Sequence, residues 1–260
     1  MPERMPVLFV SHGAPTLPFD DVPARRFLIE LARRVPRPKA ILIVSAHWET
    51  AQPSLNAGAR PGTIHDFSGF PKALYELSYD APGDPELAQR AAALLRNAGY
   101  QPHLDAERGR DHGAWVPLML AWPAAEIPVI QVSLLRGQST HAHLDLGEAL
   151  APLRDEGVLI IGSGGAVHNL RQVAWGGGKP PRWAEDFQNW MDQQLAAGNV
   201  GAMLAYRSQI DSAAMAHPSE DHLMPLYVAL GAGMSDGGAE KLHSSFTFGS
   251  LSMASYGWGM

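Results

Sequence analysis

The sequence contains no cysteine. Disulfide bonds, thiolate metal sites and cysteine nucleophiles are therefore excluded, and a metal ion could be held only by histidine or carboxylate side chains. Basic residues are also scarce: 20 Lys and Arg against 26 Asp and Glu give a net charge of −6, unlike the basic surface of a nucleic-acid-binding protein. No apolar run reaches transmembrane length, and no signal-peptide pattern opens the chain. These absences predict a cytoplasmic protein with neither nucleic-acid nor membrane partners.

Apolar segments of strand length alternate along the chain with segments of helical periodicity. The apolar runs typical of strands covered on both faces occupy residues 7–10, 40–44, 127–134 and 158–161, and an alternating last strand is predicted at 246–253. Helical patterns occupy residues 23–35, 85–99, 114–122, 139–154 and 183–195, with one more beginning near His222. This order predicts an α/β fold, a single three-layer α/β/α sandwich with a largely parallel or mixed central sheet. No linker divides the chain, so we expect one domain over residues 1–260.

Two of the predicted strands each stop and present a histidine. His12 follows the first strand and precedes Gly13, and His47 follows the second strand and precedes Trp48. In an open α/β sheet, ligands bind at the carboxyl ends of the strands, so both side chains should reach the same edge. Neutral imidazole is the commonest metal-ligating side chain. The matching placements therefore indicate a metal centre rather than two unrelated histidines at strand ends.

A third histidine, His168, follows the fourth predicted strand. It could act as a metal ligand or as a general acid and base at the same edge. The glycines before it, Gly164 and Gly165, are also compatible with an anion-binding turn. Their spacing matches neither a phosphate-binding Walker loop nor a dinucleotide fingerprint, so this second interpretation is weaker.

The remaining histidines lie in predicted helix starts, loops and surface positions. His112 precedes a helix, and His222 begins another beside Glu220 and Asp221, which compete with it as ligands. His65 lies in the long irregular segment at residues 49–82, where it could contact a substrate. The following are predicted to be surface histidines: His103, His141, His143, His217 and His243.

Taken together, the histidine-containing segments resemble the class III extradiol ring-cleavage dioxygenases, in particular the small single-chain DOPA dioxygenase type of the LigB-like superfamily. The segments that carry the resemblance are SHGAP at residues 11–15, SAHW at 45–48, TIHDFSGFP at 63–71, DHG at 111–113, VHNL at 167–170, DHLMPL at 221–226 and GSLSM at 249–253. They occur in order and cover nearly the whole chain. The resemblance is therefore specific, although each short motif alone would not be.

The resemblance implies an α/β/α catalytic domain that opens the ring of a catechol, such as DOPA, with O2 at a non-haem Fe(II) centre. By position, the metal ligands would be His12, His47 and His222. His168 would lie at the metal as an acid and base or a further ligand, and His112 would be a second catalytic histidine that contacts the substrate. His65 would also line the substrate pocket. The implied partners are a small catechol and O2, with room for a homo-oligomer.

Two points stay open from the sequence. Larger superfamily members complete the site with a glutamate, whereas this chain has His222, and three histidines suit Zn(II) as well as Fe(II). A zinc-dependent hydrolase on the same site, with His168 or Glu220 activating water, is therefore the alternative function. A chelatase-like binding protein would explain the histidine and glycine after the first strand. It would leave His47, His112 and His222 without a role.

Overall fold

A computed structural model of the protein describes residues 4–260. Its strands are β1 (Val7–Ser11), β2 (Ala40–Thr50), β3 (Ser54–Asn56), β4 (His103–Asp105), β5 (Val129–Leu135), β6 (Val158–Gly164), β7 (Glu240–His243), β8 (Phe246–Thr247), β9 (Leu251–Ser252) and β10 (Ser255–Trp258). Its helices are α1 (Pro23–Leu31), α2 (Pro85–Asn97), α3 (His112–Ala121), α4 (Thr140–Leu150), α5 (Arg182–Ala196), α6 (Val200–Leu204), α7 (Tyr206–Gln209), α8 (Ala213–Ala216) and α9 (Met224–Gly233). Among these residues, no helix is both long and apolar enough to span a membrane.

Eight strands form one mixed sheet in the order β4-β3-β5-β2-β6-β1-β10-β7. The four central strands β5, β2, β6 and β1 are parallel, and β10 runs antiparallel beside β1. Ser163 of β6 pairs with Ser45 of β2 on one side and with Val10 of β1 on the other. The carboxyl ends of these three strands therefore lie level with one another, which brings the residues that follow them to a single edge.

Helices cover both faces of the sheet. The side chains of α1 and α3 form one hydrophobic core with one face, and those of α2, α4, α5 and α9 form a second core with the other. The strands between them are apolar on both sides because neither face meets water. The predicted α/β/α sandwich with a mixed sheet is confirmed.

Several local predictions differ from the structure. The predicted strand at 246–253 is instead the short hairpin of β8 and β9, and the strand that joins the sheet is β10, whose aromatic and glycine residues do not alternate with polar ones. The second strand does not stop before His47. It continues to Thr50, with a break in its pairing between Val44 and Glu49 that turns His47 toward the sheet edge.

Candidate metal centre and adjoining cavity

The sheet edge at the ends of β1, β2 and β6 carries the candidate site. His12 directly follows β1, and its backbone N–H donates to the Gly164 carbonyl oxygen at 3.0 Å, which extends the strand pairing by one residue. His47 lies in the irregular part of β2, where its backbone N–H donates to Ser45 Oγ at 3.2 Å. The ring centroids of these two histidines are 5.0 Å apart.

His222 reaches the same edge from the turn that precedes α9. This turn packs directly on the end of β6, where a Cβ on Gly164 would overlap the carbonyl oxygen of His222. A glycine is required there because the two backbones approach too closely for any side chain. The His222 ring centroid lies 5.5 Å from that of His12 and 4.9 Å from that of His47.

His112 is the first residue of α3. The buried Asp111 caps this helix, and its carboxylate accepts hydrogen bonds from Ser45 Oγ at 2.6 Å and from Ala114 N at 3.3 Å. Gly113 follows, and a Cβ at this position would contact Ser45 and His12. The start of α3 is thus fixed to β2 by the cap, and the His112 ring centroid lies 4.0 Å from that of His47.

Three imidazoles present nitrogen atoms to one point. Ligand atoms of His12, His47 and His222 all lie within 4.8 Å of one another, and the Nε2 atoms of His12 and His47 are 3.1 Å apart. Two neutral imidazoles with both lone pairs directed at this point would repel each other unless a proton or a cation lay between them. The arrangement therefore fits a divalent cation with nitrogen ligands.

The other ring nitrogen of each of these histidines faces a polar partner. His12 Nδ1 donates to Ser163 Oγ at 3.1 Å, and Ser163 in turn donates to the Gly113 carbonyl at 2.5 Å. His222 Nδ1 donates to the Asp221 carboxylate, and His47 Nδ1 lies 3.6 Å from Asp66 Oδ2. For His12 and His222, these hydrogen bonds fix the tautomer that leaves Nε2 free, as is usual for metal-ligating histidine.

The electrostatics of the cluster favour neutral imidazoles. Burial, followed by repulsion from His47 and His112, lowers the pKa of His12 well below its ordinary value. Burial and repulsion from His112 lower the pKa of His47 to about 2. Both side chains are therefore uncharged near pH 7 and have lone pairs available for a metal ion.

A second group that could hold a metal consists of His47, Asp66 and His112. In this group, Asp66 Oδ2 accepts from His112 Nδ1 at 2.9 Å and Asp66 Oδ1 accepts from the His112 backbone N–H at 2.8 Å. Burial opposes ionisation of Asp66, but these hydrogen bonds outweigh it and lower its pKa to about 2. Asp66 therefore serves as a charged acceptor that orients His112, which favours the three-histidine group as the metal site.

His168 lies beside this group rather than within it. Its ring stacks on His222 with 3.5 Å between centroids and 6° between ring planes, and its backbone N–H donates to the Ala216 carbonyl oxygen at 3.0 Å. Burial, followed by repulsion from His222, lowers its pKa to about 3. It is thus a neutral imidazole next to the candidate ligands, with the position of a proton acceptor.

Of the six histidines predicted to form the site, the structure brings five to one cavity: His12, His47, His112, His168 and His222. His65 is not among the described residues that line it. Its Nε2 donates to the Leu77 carbonyl oxygen at 3.0 Å, and its ring lies 5.7 Å from that of Phe67. His65 therefore helps to hold the loop at residues 63–77 in place. Phe67, two residues further along the same loop, does line the cavity.

The prediction of surface positions for His143 and His217 was wrong, since both are buried. His143 accepts from the Leu135 backbone N–H at 3.1 Å, which binds α4 to β5. His217 Nε2 donates to the Ala166 carbonyl oxygen at 3.0 Å. Each histidine satisfies a backbone group outside its own helix, 8 residues away for His143 and 51 residues away for His217, and such a partner cannot be recognised from the sequence.

The cavity beside the histidines has a volume of about 210 Å³, far more than the ~10–15 Å³ that one water molecule needs, so it can admit an organic ligand. Its wall away from the histidines includes Phe67, Phe70, Leu170, Trp175, Phe248 and Leu251. Phe67 and Phe70 belong to the segment 63–71 that carries the family resemblance, whereas Trp175 and Phe248 belong to none of the segments that do so. Trp115 does not line this wall: it is buried and donates to the Ile64 carbonyl oxygen at 3.0 Å.

The fold and the site define the protein as an α/β/α sandwich with a histidine centre for a metal ion beneath an apolar cavity. The family model described as "Catalytic LigB subunit of aromatic ring-opening dioxygenase" matches residues 7–259. The chain therefore belongs to the LigB family, and it is a ring-cleaving extradiol dioxygenase, an oxidoreductase.

Individual relatives agree with this assignment. The chain is 44% identical over 258 residues to a protein of Beta vulgaris named 4,5-DOPA dioxygenase extradiol, an alignment that covers 95% of this chain and 94% of that protein. It is 40% identical over 233 residues to a protein of the same name from Escherichia coli strain K12, with 88% of this chain and 85% of that protein covered.

A solved structure shares the fold. The crystal structure of the uncharacterized protein JW3007 from Escherichia coli K12 superposes with a TM-score of 0.83 at 34% sequence identity, covering 98% of this chain and all of that one. The predicted family and the predicted dioxygenase activity are confirmed, and the zinc-hydrolase alternative is not favoured. The substrate is a small aromatic molecule together with O2.

Proposed function

We propose that the protein opens the ring of a catechol-type substrate with O2 at an Fe(II) centre held by His12, His47 and His222. The observation that supports this most directly is the convergence of three imidazoles on one point, with each second ring nitrogen facing a polar partner. Relatives named 4,5-DOPA dioxygenase make DOPA the first catechol to test. We further propose that residues 1–260 act as one catalytic domain.

The donor set supports an iron centre that is open to substrate. Three nitrogen ligands from one side leave further coordination positions for both catechol oxygens and for O2. When bound, Fe(II) would acidify the catechol hydroxyls and mediate electron transfer from the ring to O2. Zn(II) fits the same nitrogens but has no accessible second oxidation state, so it would bind the catechol without supporting ring opening.

His168 is the proposed general base and acid. It is neutral because burial lowers its pKa, and it lies against His222 at the cavity wall. A catechol whose hydroxyls face the three ligands would therefore place one hydroxyl near an imidazole that can accept its proton. The same imidazole can return the proton to an oxygen atom later, because no carboxylic acid among the described residues lines the cavity.

His112 is the proposed second catalytic histidine. Its Nδ1 proton is donated to Asp66, so Nε2 carries a lone pair in the neutral ring. The ring faces the cavity next to His47, where it can accept a hydrogen bond from a substrate hydroxyl. Phe67 stands edge-on to His112 with 5.8 Å between centroids and would border the bound aromatic ring.

Oxygen uptake with metal-free protein reloaded under anaerobic conditions tests the proposal. One sample receives Fe(II) and another receives Zn(II), and both are mixed with a panel of catechols that includes DOPA. We expect oxygen consumption and a yellow ring-opened product with iron alone. Absence of uptake across the panel, in a sample that binds iron stoichiometrically through these histidines, would reject the catechol substrate class.

The role of His168 is tested by replacement with alanine. We expect kcat to fall by ~10²–10⁴, the usual contribution of a positioned acid and base, while iron content stays at one per chain. The exposed His141 provides the matched control, because H141A should change neither quantity. Loss of iron from H168A would instead indicate that His168 is a ligand.

A further inference from the structure

The wall of the cavity beyond the histidines carries no charge. Among the residues that the structure describes, no Asp, Glu, Lys or Arg lines it. The side chains that line this wall include Phe67, Phe70, Leu251 and Met253. A carboxylate or an ammonium group entering this region would lose water and find no partner of opposite charge, which is unfavourable.

The two serines of the cavity offer no hydroxyl proton to a ligand. Ser11 Oγ donates to the Ala254 carbonyl oxygen at 2.8 Å and accepts from the Ala166 N–H at 3.0 Å. Ser252 Oγ donates to Gln188 and accepts from the Ala254 N–H at 3.2 Å. Because a hydroxyl has one proton to donate, both serines are satisfied within the protein. Among the described lining residues, the polar side-chain groups left to meet the substrate are then the histidines and, at the outer end, the indole N–H of Trp175.

At its outer end the cavity is bordered by large apolar side chains, Leu170, Trp175 and Phe248, which we call the apolar rim. Trp175 is 69% exposed and Leu170 is 59% exposed, whereas most side chains of this size are buried. The Trp175 and Phe248 rings are 5.1 Å apart, and Phe248 has a φ of 48°, which is unfavourable for this residue type. Such an exposed apolar surface, continuous with a cavity, is typical of a ligand contact.

We propose that the enzyme selects catechols with an uncharged apolar substituent, and that the apolar rim contacts this substituent. This inference rests on the proposed catechol-cleaving function. A catechol with its two hydroxyls at the histidines directs a substituent on the opposite side of the ring away from them, toward Leu170, Trp175 and Phe248. Each buried methylene of the substituent then adds apolar contact, which corresponds to a gain of about fourfold in kcat/KM.

The structure also offers a rival interpretation through Arg171. This residue lines a neighbouring concavity that shares His168, Leu170 and His222 with the cavity. A substrate carboxylate that passed Leu170 could approach its guanidinium group. Arg171 is exposed, so an ion pair there would remain in water and contribute little. The proposal therefore expects no contribution from Arg171 to the choice of substrate.

Two measurements on one substrate series test the proposal. The first is kcat/KM of the Fe(II)-loaded enzyme for catechol and its 4-methyl, 4-ethyl and 4-propyl derivatives, compared with DOPA and dihydroxyphenylpropionate. The second is Kd for the same compounds on the anaerobic Zn(II)-loaded protein, which requires no turnover. We expect both affinity and kcat/KM to rise by about fourfold with each methylene. DOPA should fall at least tenfold below 4-propylcatechol.

Variants show which side chains contact the substituent. In W175A and L170A, the increase of log kcat/KM with chain length should become shallower, because the added methylenes lose their contact. A general loss of folding would lower kcat/KM for every substrate of the series by the same factor and leave this slope unchanged. F19A provides the matched control, since Phe19 is 58% exposed but does not line the cavity. R171Q should leave the slope and the rank of DOPA unchanged.

The possible failures are distinguishable. If no catechol is turned over by iron-loaded protein, the proposed function fails, and the binding series alone decides the inference. If DOPA equals or exceeds 4-propylcatechol in both measurements, the inference fails while the proposed function stands. A preference for DOPA that disappears in R171Q would replace the apolar rim by Arg171 as the selecting group.

Discussion

At the scale of single residues, the candidate site depends on side chains that do not touch a metal ion. Asp66 accepts two hydrogen bonds from His112, so this carboxylate orients one of the five cavity histidines, and it lies 3.6 Å from Nδ1 of another, His47. Ser163 plays the corresponding part for His12. Replacing partners of this kind typically lowers metal affinity or activity by ~10–100-fold.

Replacement of Asp66 tests this dependence. In D66N the side-chain oxygen can still accept one hydrogen bond from His112, but the negative charge is lost. We expect kcat or metal affinity to fall by ~10–100-fold, and D66A to fall further because it accepts none. The exposed Asp80 of the same loop serves as control, since D80N should retain full metal content and activity. Equal activity of D66N and the unchanged enzyme would exclude the orienting role.

The histidines themselves could be predicted because each follows an apolar run or lies at a helix start, a position that the local sequence reveals. Their partners could not. Asp66 and His112 are 46 residues apart, and His12 and Ser163 are 151 residues apart, so only the folded sheet brings them together. His143 and His217 could not be recognised as buried because their partners are backbone groups of Leu135 and Ala166. Backbone carbonyl and amide partners carry no side-chain signature in the sequence.

At the scale of secondary-structure elements, close backbone packing places His222. Gly164 at the end of β6 lies against the turn that carries His222, and nothing larger than a hydrogen atom fits between them. We expect G164A to shift this turn, to cost ~1–3 kcal/mol of stability as overpacking does, and to weaken metal binding. Thermal unfolding and metal titration measure the two effects. Gly62 has open space around its Cβ position, so G62A should change neither.

Arg110 also connects secondary-structure elements, because it attaches the long loop before α2 to the sheet. Its guanidinium is buried and donates to the carbonyls of Ala81 at 2.8 Å, Pro82 at 2.9 Å and Val129 at 2.9 Å. Burial lowers the pKa of Arg110 to about 10, so the side chain stays charged near pH 7. The loop that contains His65 and Phe67 is thereby held beside the cavity.

R110M removes these donors while keeping an apolar stem of similar length. The Pro82 carbonyl keeps a hydrogen bond from the Val129 N–H, whereas the carbonyls of Ala81 and Val129 lose the Arg110 donor. At ~1–3 kcal/mol for each of these two, we expect at least ~2 kcal/mol lower stability in chemical denaturation. Limited proteolysis should cut the loop faster than in the unchanged protein. R60M, at an exposed position of the same loop, should show neither effect. An unchanged cutting rate in R110M would mean that other contacts hold the loop.

At the scale of the whole molecule, the fold was predictable because its strongest signals are long and regular. The four central strands are continuous apolar runs that the sequence displays directly. The short strands β3, β4 and β7 at the two edges of the sheet carry three or four residues each, too few for a periodic pattern. The sequence pattern therefore did not predict the edge strands and hairpins. It also did not predict how the residues of the apolar rim are arranged.

The acid sensitivity of the whole molecule follows from its buried neutral histidines. His217 is fully enclosed, and burial lowers its pKa from 6.5 to about 4. Between pH 6.5 and about pH 4, His217 is protonated in the unfolded chain but not in the folded chain. The free energy of unfolding therefore falls as the pH decreases across this window. The difference corresponds to about 3 kcal/mol, present in full above pH 6.5 and lost by about pH 4. The pKa values of His12, His47 and His168 are lowered as well, and they act in the same direction.

Urea unfolding of the metal-free protein at pH 7 and at pH 4.5 measures the effect, and H217Q isolates the share of His217. Glutamine can still donate to the Ala166 carbonyl oxygen but has no proton to take up. We therefore expect the loss of stability between the two pH values to be smaller in H217Q by about 2–3 kcal/mol. The replacement H141Q at an exposed site should leave the loss unchanged. Parallel losses in H217Q and the unchanged protein would mean that His217 contributes nothing, and would assign the acid sensitivity to the cavity histidines.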